Sequence, residues 1–203
     1  MVTSRATRLL GPALTIGGLI WISDFAQIIV NGAITGHLPD APDALLPLAL
    51  RIGLRLFVAS TIVLSIGLIS LFLQLRSRST KLAFASLPFM AIALVLATIN
   101  TVLLSGLAGT PTFNDTFMGL SIFATAIATA FLSVAALRTQ ALPRWAALAL
   151  LFVGITTIPV LFGTPLPIGP DWATDHLAFL TSGIAYTVVG ARMWAARAAD
   201  SAS

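Results

Sequence analysis

Long apolar stretches follow one another along the chain, separated by short links rich in Pro, Gly, Asp and Arg. Six of them, at about 9–34, 49–75, 82–107, 116–137, 145–162 and 172–194, are each close to or above the roughly 20 residues a helix needs to cross a bilayer core of about 30 Å. The pattern predicts an all-α fold: a single integral membrane bundle of six transmembrane helices over residues 1–203. Polar residues inside the stretches are sparse and placed with helical spacing. In the first span Gly17, Trp21, Asp24, Gln27 and Asn31 recur every three or four residues, which puts them on one stripe of a helix. That span therefore has a lipid face and a polar inward face. An aspartate there is expensive, at about 2.5–3.5 kcal/mol near the middle of a span, so Asp24 is expected to face protein or a wet cavity.

The remaining spans differ in what interrupts them. Span two carries Arg51 and Arg55 in its first turns. Span three carries Pro88, a candidate kink, and Asn100 near its end. The link before span four offers Asn114 or Asp115 as a helix cap. Span four is rich in small residues (Gly119, Ser121, Ala124, Thr125, Ala128, Thr129), which let helices approach closely in lipid, so it should pack among neighbours. Span six opens with Asp171-Trp172-Ala173-Thr174-Asp175-His176, where Asp171 suits a cap and Trp172 an interface anchor. The tail 195–203 is small and polar and should fray. Residues 1–8 are basic, as in a signal peptide, but no small-residue cleavage site follows; a retained first helix is expected.

Charge orients the bundle. Arg5, Arg8, Arg76, Arg78, Lys81, Arg138, Arg144, Arg192 and Arg197, nine of the eleven basic residues, fall on one side of a six-span layout. The positive-inside rule makes that side cytoplasmic, with both termini on it, in a plasma (inner) membrane. Composition agrees: 58% of residues are hydrophobic and 9% charged, against about 25% charged in soluble domains. Basic residues that close spans set topology, so the net charge of +4 implies no nucleic acid.

Missing residue types exclude chemistry. There is no cysteine, hence no disulfide, thiolate metal site or iron–sulfur cluster. There is no glutamate and there are two histidines, so no metal site is expected. No H-E-x-x-H, glycine-rich phosphate loop or G-x-S-x-G element occurs. Neither histidine has a partner at matching depth for haem. No cofactor is expected.

Depth suggests a site. At 1.5 Å per residue, Asp24, Arg55, Asn100 and His176 come to roughly 6–12 Å below the outer ends of four different spans. The expectation is one outward-facing polar pocket in which Arg55 or Arg51 pairs with Asp24 or Asp175. Arg51 and Arg55, four residues apart, would clamp an anionic group, with Asp24 and Asp175 tuning the charge and Trp21 and Trp172 covering the apolar part. Gln27, Asn31, Asn100 and His176 complete the expected ligand-binding set, and the ligand expected there is a small amphiphilic molecule that is bound or transported, anionic if the arginines clamp it. The structural reading of the same residues is an ion pair at Asp24, snorkelling arginines and an interhelical hydrogen bond at Asn100. A second functional reading is an intramembrane acid/base enzyme on a lipid-soluble substrate, such as an isoprenoid cyclase or isomerase, with Asp24, Asp175 and His176 catalytic. A third is a scaffold whose span four binds a partner membrane subunit.

The run Arg138-Thr139-Gln140-Ala141-Leu142-Pro143-Arg144-Trp145, followed by two apolar spans ending in Met193-Trp194, resembles the last third of small multi-span membrane proteins of unknown function from high-GC bacteria. The resemblance implies architecture and source, and no activity. In size and layout the six-span unit with an outward pocket also looks like the substrate-capturing membrane subunits of some vitamin importers.

Overall fold

The computed structural model describes residues 2–36, 47–107, 109, 113–161 and 171–202; the side chains of 2–11, 47–51, 54, 80, 171–175 and 196–202 fall outside that description. Six helices occupy the six apolar stretches: α1 (Val2–Thr35), α2 (Pro47–Leu75), α3 (Thr80–Ser105), α4 (Asp115–Thr139), α5 (Arg144–Leu161) and α6 (Asp171–Ala202). Among the described residues there is no strand. Among the described residues five helices are long and apolar enough to cross a membrane: α1 from Pro12, α2 from Arg55, α3 from Lys81, α4 and α5. α6 is the more polar sixth.

The surface differs from that of a protein in water, and polar side chains share the apolar interior. The interior holds Ser60, Thr61, Ser65, Ser121, Thr125, Thr129 and Ser133, all buried, whereas Leu19, Val30, Phe84, Val95, Phe152 and Val188 are exposed on the perimeter. Such an apolar surface has no stable place in water and a natural one among acyl chains. The five apolar helices and this perimeter fit a multi-pass membrane protein.

Consecutive helices pack side by side and α6 returns against α1 to close the ring, while α4 also meets α2 across it. α1 and α6 approach most closely, because glycines face one another there. A methyl group on Gly18 would come within 2.6 Å of the Gly183 carbonyl oxygen, and one on Gly190 within 2.6 Å of the Thr15 nitrogen. In lipid, where apolar surface is not driven together by water, such close backbone approach is a main source of helix association. α4 supplies the centre: twelve of its residues are buried, among them Ser121, Thr125, Thr129, Ser133 and five alanines.

Three local outcomes differ from the pattern-based expectation or refine it. Residues 195–202 continue α6 as helix, where fraying was expected; Ala195, Ala196, Arg197, Ala198 and Ala199 are strong helix formers. The basic segment from Val2 is likewise part of α1. Pro88 lies within α3, which is helical from Thr80 onward. Asn114, of the two candidates, caps α4: its Oδ1 accepts from the Phe117 N–H at 2.9 Å.

Candidate functional site: a groove between the first two helices

The polar stripe of α1 runs along its junction with α2. Gly17 lies against Leu64. Asp24, about two turns further on, lies against α2 at Gly53, where a methyl group would overlap its Oδ1. Only a residue without a Cβ leaves the carboxylate that position. Asp24 is 5% exposed, and among the described residues no hydrogen bond or ion pair reaches it.

A groove of about 230 Å³ opens beside this carboxylate, lined by Ile16, Leu19, Ile20, Ser23, Asp24, Gln27, Gly53 and Leu56. Ile16, Leu19 and Leu56 are each about half exposed, so the groove opens sideways, onto the apolar perimeter. Its other polar side chains are occupied with each other: Gln27 Nε2 donates to Ser23 Oγ at 3.5 Å. The site therefore offers a carboxylate set among aliphatic walls, with access from the lipid side.

Behind the groove lies an aromatic core. Trp21 is 1% exposed and packs against Phe57 at 5.4 Å, Phe25 and Phe179 at 5.9 Å and Tyr186 at 6.1 Å between ring centroids. Phe25 in turn stacks on Phe179 at 5.0 Å and meets His176 at 5.9 Å. These edge-to-face and stacked contacts hold α1, α2 and α6 together. Trp21 thus belongs to the core and does not line the groove.

The residues expected to converge on one chamber are distributed over separate places. Asp24 and Gln27 share the groove. Asn31 is buried further along α1, where its carbonyl accepts from Thr35 Oγ1 at 2.9 Å. Arg55 is exposed and forms no ion pair with Asp24: two residues past Gly53, it is turned by about 200° to the other side of α2. Asn100 lies at the α3–α4 junction, with α2 between it and α1. Its Oδ1 accepts from the Asn114 N–H at 3.0 Å and its Nδ2 donates to the Asn114 carbonyl at 3.3 Å. Both ends of the amide are committed to backbone, which is the interhelical structural role. His176 stands beside Phe25 at the α1–α6 junction. The side chains of Arg51, Trp172 and Asp175 lie outside the described residues, as do His37, Asp40 and Asp43.

Sequence reasoning missed Gly53, Leu56, Ser23 and the wall residues Ile16, Leu19 and Ile20. Gly53 carried a usable signal, since a glycine within a span marks close approach of another helix. No group of three or more His or Asp side chains able to hold a metal occurs among the described residues. No protein family model, curated protein or solved structure matches the chain.

Proposed function

We propose that the chain is a six-span protein of a bacterial plasma (inner) membrane, with both termini cytoplasmic, that binds or transports a small amphiphile at the α1–α2 groove. The observation that carries the reading is Asp24. A carboxylate that is expensive in a membrane is kept without a protein partner among the described residues, beside a cavity reached from lipid. Structural polar groups in membranes are paired; an unpaired one facing a groove is suited to a partner that arrives from outside. The clustering of nine basic residues at one end of the spans supports the topology. An acid/base enzyme acting through a carbocation would want aromatic faces at its acid, and the groove walls are aliphatic, with Trp21 buried behind them.

The test is reaction of the purified protein in lipid nanodiscs with a hydrophobic carbodiimide, which couples to carboxyl groups from the lipid phase. Asp24 should be the modified residue by mass spectrometry, and a water-soluble carbodiimide should react with it far more slowly. Asp24→Asn should fold and lose the modification. Failure of the hydrophobic reagent to reach Asp24, or faster reaction from water, would overturn the lateral groove.

A further inference from the structure

Resting on that groove, we propose a chemical class for its ligand: a single-chain amphiphile whose head is a primary or secondary ammonium, donating N–H to Asp24. Three observations select this head. Among the described side chains Asp24 is the only charged one lining the groove, and Arg55, on the same turn region of α2, is turned away from it. An anionic head would therefore meet a carboxylate with no compensating cation among the described side chains, whereas an ammonium would gain a charge-assisted hydrogen bond in a medium of low dielectric. Beside Asp24, the Gln27 side chain, whose Nε2 donates to Ser23 Oγ, brings a carbonyl oxygen that can accept a second N–H. That favours a head carrying more than one N–H.

The walls decide between kinds of ammonium. Quaternary ammonium recognition relies on aromatic faces around the cation, and the walls here are Ile16, Leu19, Ile20 and Leu56. The aromatic rings of α1 and α2 nearest to Asp24, those of Trp21, Phe25 and Phe57, are buried in the core. A head that needs N–H contacts fits, and a trimethylated one does not.

Size sets the rest of the molecule. About 230 Å³ is below the ~300–1,000 Å³ of pockets that enclose whole drug-sized ligands. The groove takes the head and the first carbons, and an alkyl tail lies along the exposed Leu19 and Leu56 into the bilayer. The same ammonium chemistry is carried by phosphatidylethanolamine, but its phosphate would stand beside Asp24 without a cation, so a free long-chain amine is the better match.

The experiment is equilibrium binding of radiolabelled dodecylamine to the protein in phosphatidylcholine nanodiscs, with empty nanodiscs subtracted. Saturable binding is expected, displaced at least tenfold more weakly by dodecyltrimethylammonium and not at all by dodecanoate. Asp24→Asn should weaken it at least tenfold, and Arg55→Ala should leave it unchanged. The wild-type competition series decides the class even if the Asp24 variant fails to accumulate. Equal displacement by the trimethylated amine or by dodecanoate, or no saturable binding, would overturn the ligand class. In that case carbodiimide modification of Asp24 would still stand if the groove itself is correctly read. Displacement by phosphatidylethanolamine as strong as by dodecylamine would overturn the free amine as the source.

Discussion

Two buried polar regions of this bundle are built in opposite ways. Along α4, Thr125, Thr129 and Ser133 each donate to the carbonyl four residues earlier, at 2.5–2.8 Å, and Ser121 donates across to the Ala93 carbonyl of α3 at 2.8 Å. Thr129 also shares a 2.9 Å hydrogen bond with the Tyr186 hydroxyl of α6. Every donor in this ladder has an acceptor inside the protein, so the ladder can be buried in the centre of the bundle with no ligand. Along the α1–α2 junction Asp24 has acceptors and no donor among the described residues. A satisfied polar group in lipid is architecture; an unsatisfied one next to a groove is an invitation to a partner.

The largest effect that would break this contrast is expected at the other fully paired polar group, Asn100. Asn100→Leu orphans the Asn114 N–H at the start of α4, while the Asn114 carbonyl keeps the Met118 N–H, and should cost about 2–3 kcal/mol, read as a lower unfolding midpoint in detergent with amphiphile binding intact. An unchanged midpoint would mean that the α3–α4 tie is dispensable.

Gly53→Ala comes next. Its new methyl overlaps the Asp24 carboxylate, so stability should fall by about 1–3 kcal/mol and carbodiimide modification of Asp24 should change in rate. Gly119→Ala is its internal control: nothing lies within 4 Å of the added methyl, and removing a helical glycine should raise stability by about 0.5–1 kcal/mol. Both variants behaving alike would contradict the close approach at Gly53.

Tyr186→Phe should be milder. Thr129 keeps its bond to the Thr125 carbonyl, so a loss of about 0.6 kcal/mol is expected, typical of one side-chain hydrogen bond between membrane helices. Arg55→Ala should be smallest, within ~0.5 kcal/mol in stability and without effect on amphiphile binding. A loss of binding there would restore an arginine to the site and blunt the difference between the two regions.

How much of this was legible beforehand follows the range of the interactions. Helix positions came from apolar runs, and the α4 cap came from an Asn-Asp pair preceding one, because both are local consequences of sequence. The importance of Asp24 was also local: its cost depends on the apolar residues around it. Equal depth along two spans does not by itself mean proximity. Asn100 and Asp24 match in depth, yet they lie on helices separated by α2, and Arg55 is on the far side of its own helix from Gly53.

Sequence alone determined that this chain is helical and apolar throughout, that α4 would be surrounded, and that one carboxylate in α1 needed an explanation. Tertiary structure decided which helices are neighbours, and so which polar groups meet. Helical periodicity specifies a direction around one axis, but the angle between axes is set by where small residues let two backbones touch, at Gly18 with Gly183 and at Gly53 beneath Asp24. Those contacts left the carboxylate at a lateral groove and gave Asn100 to the backbone of α4.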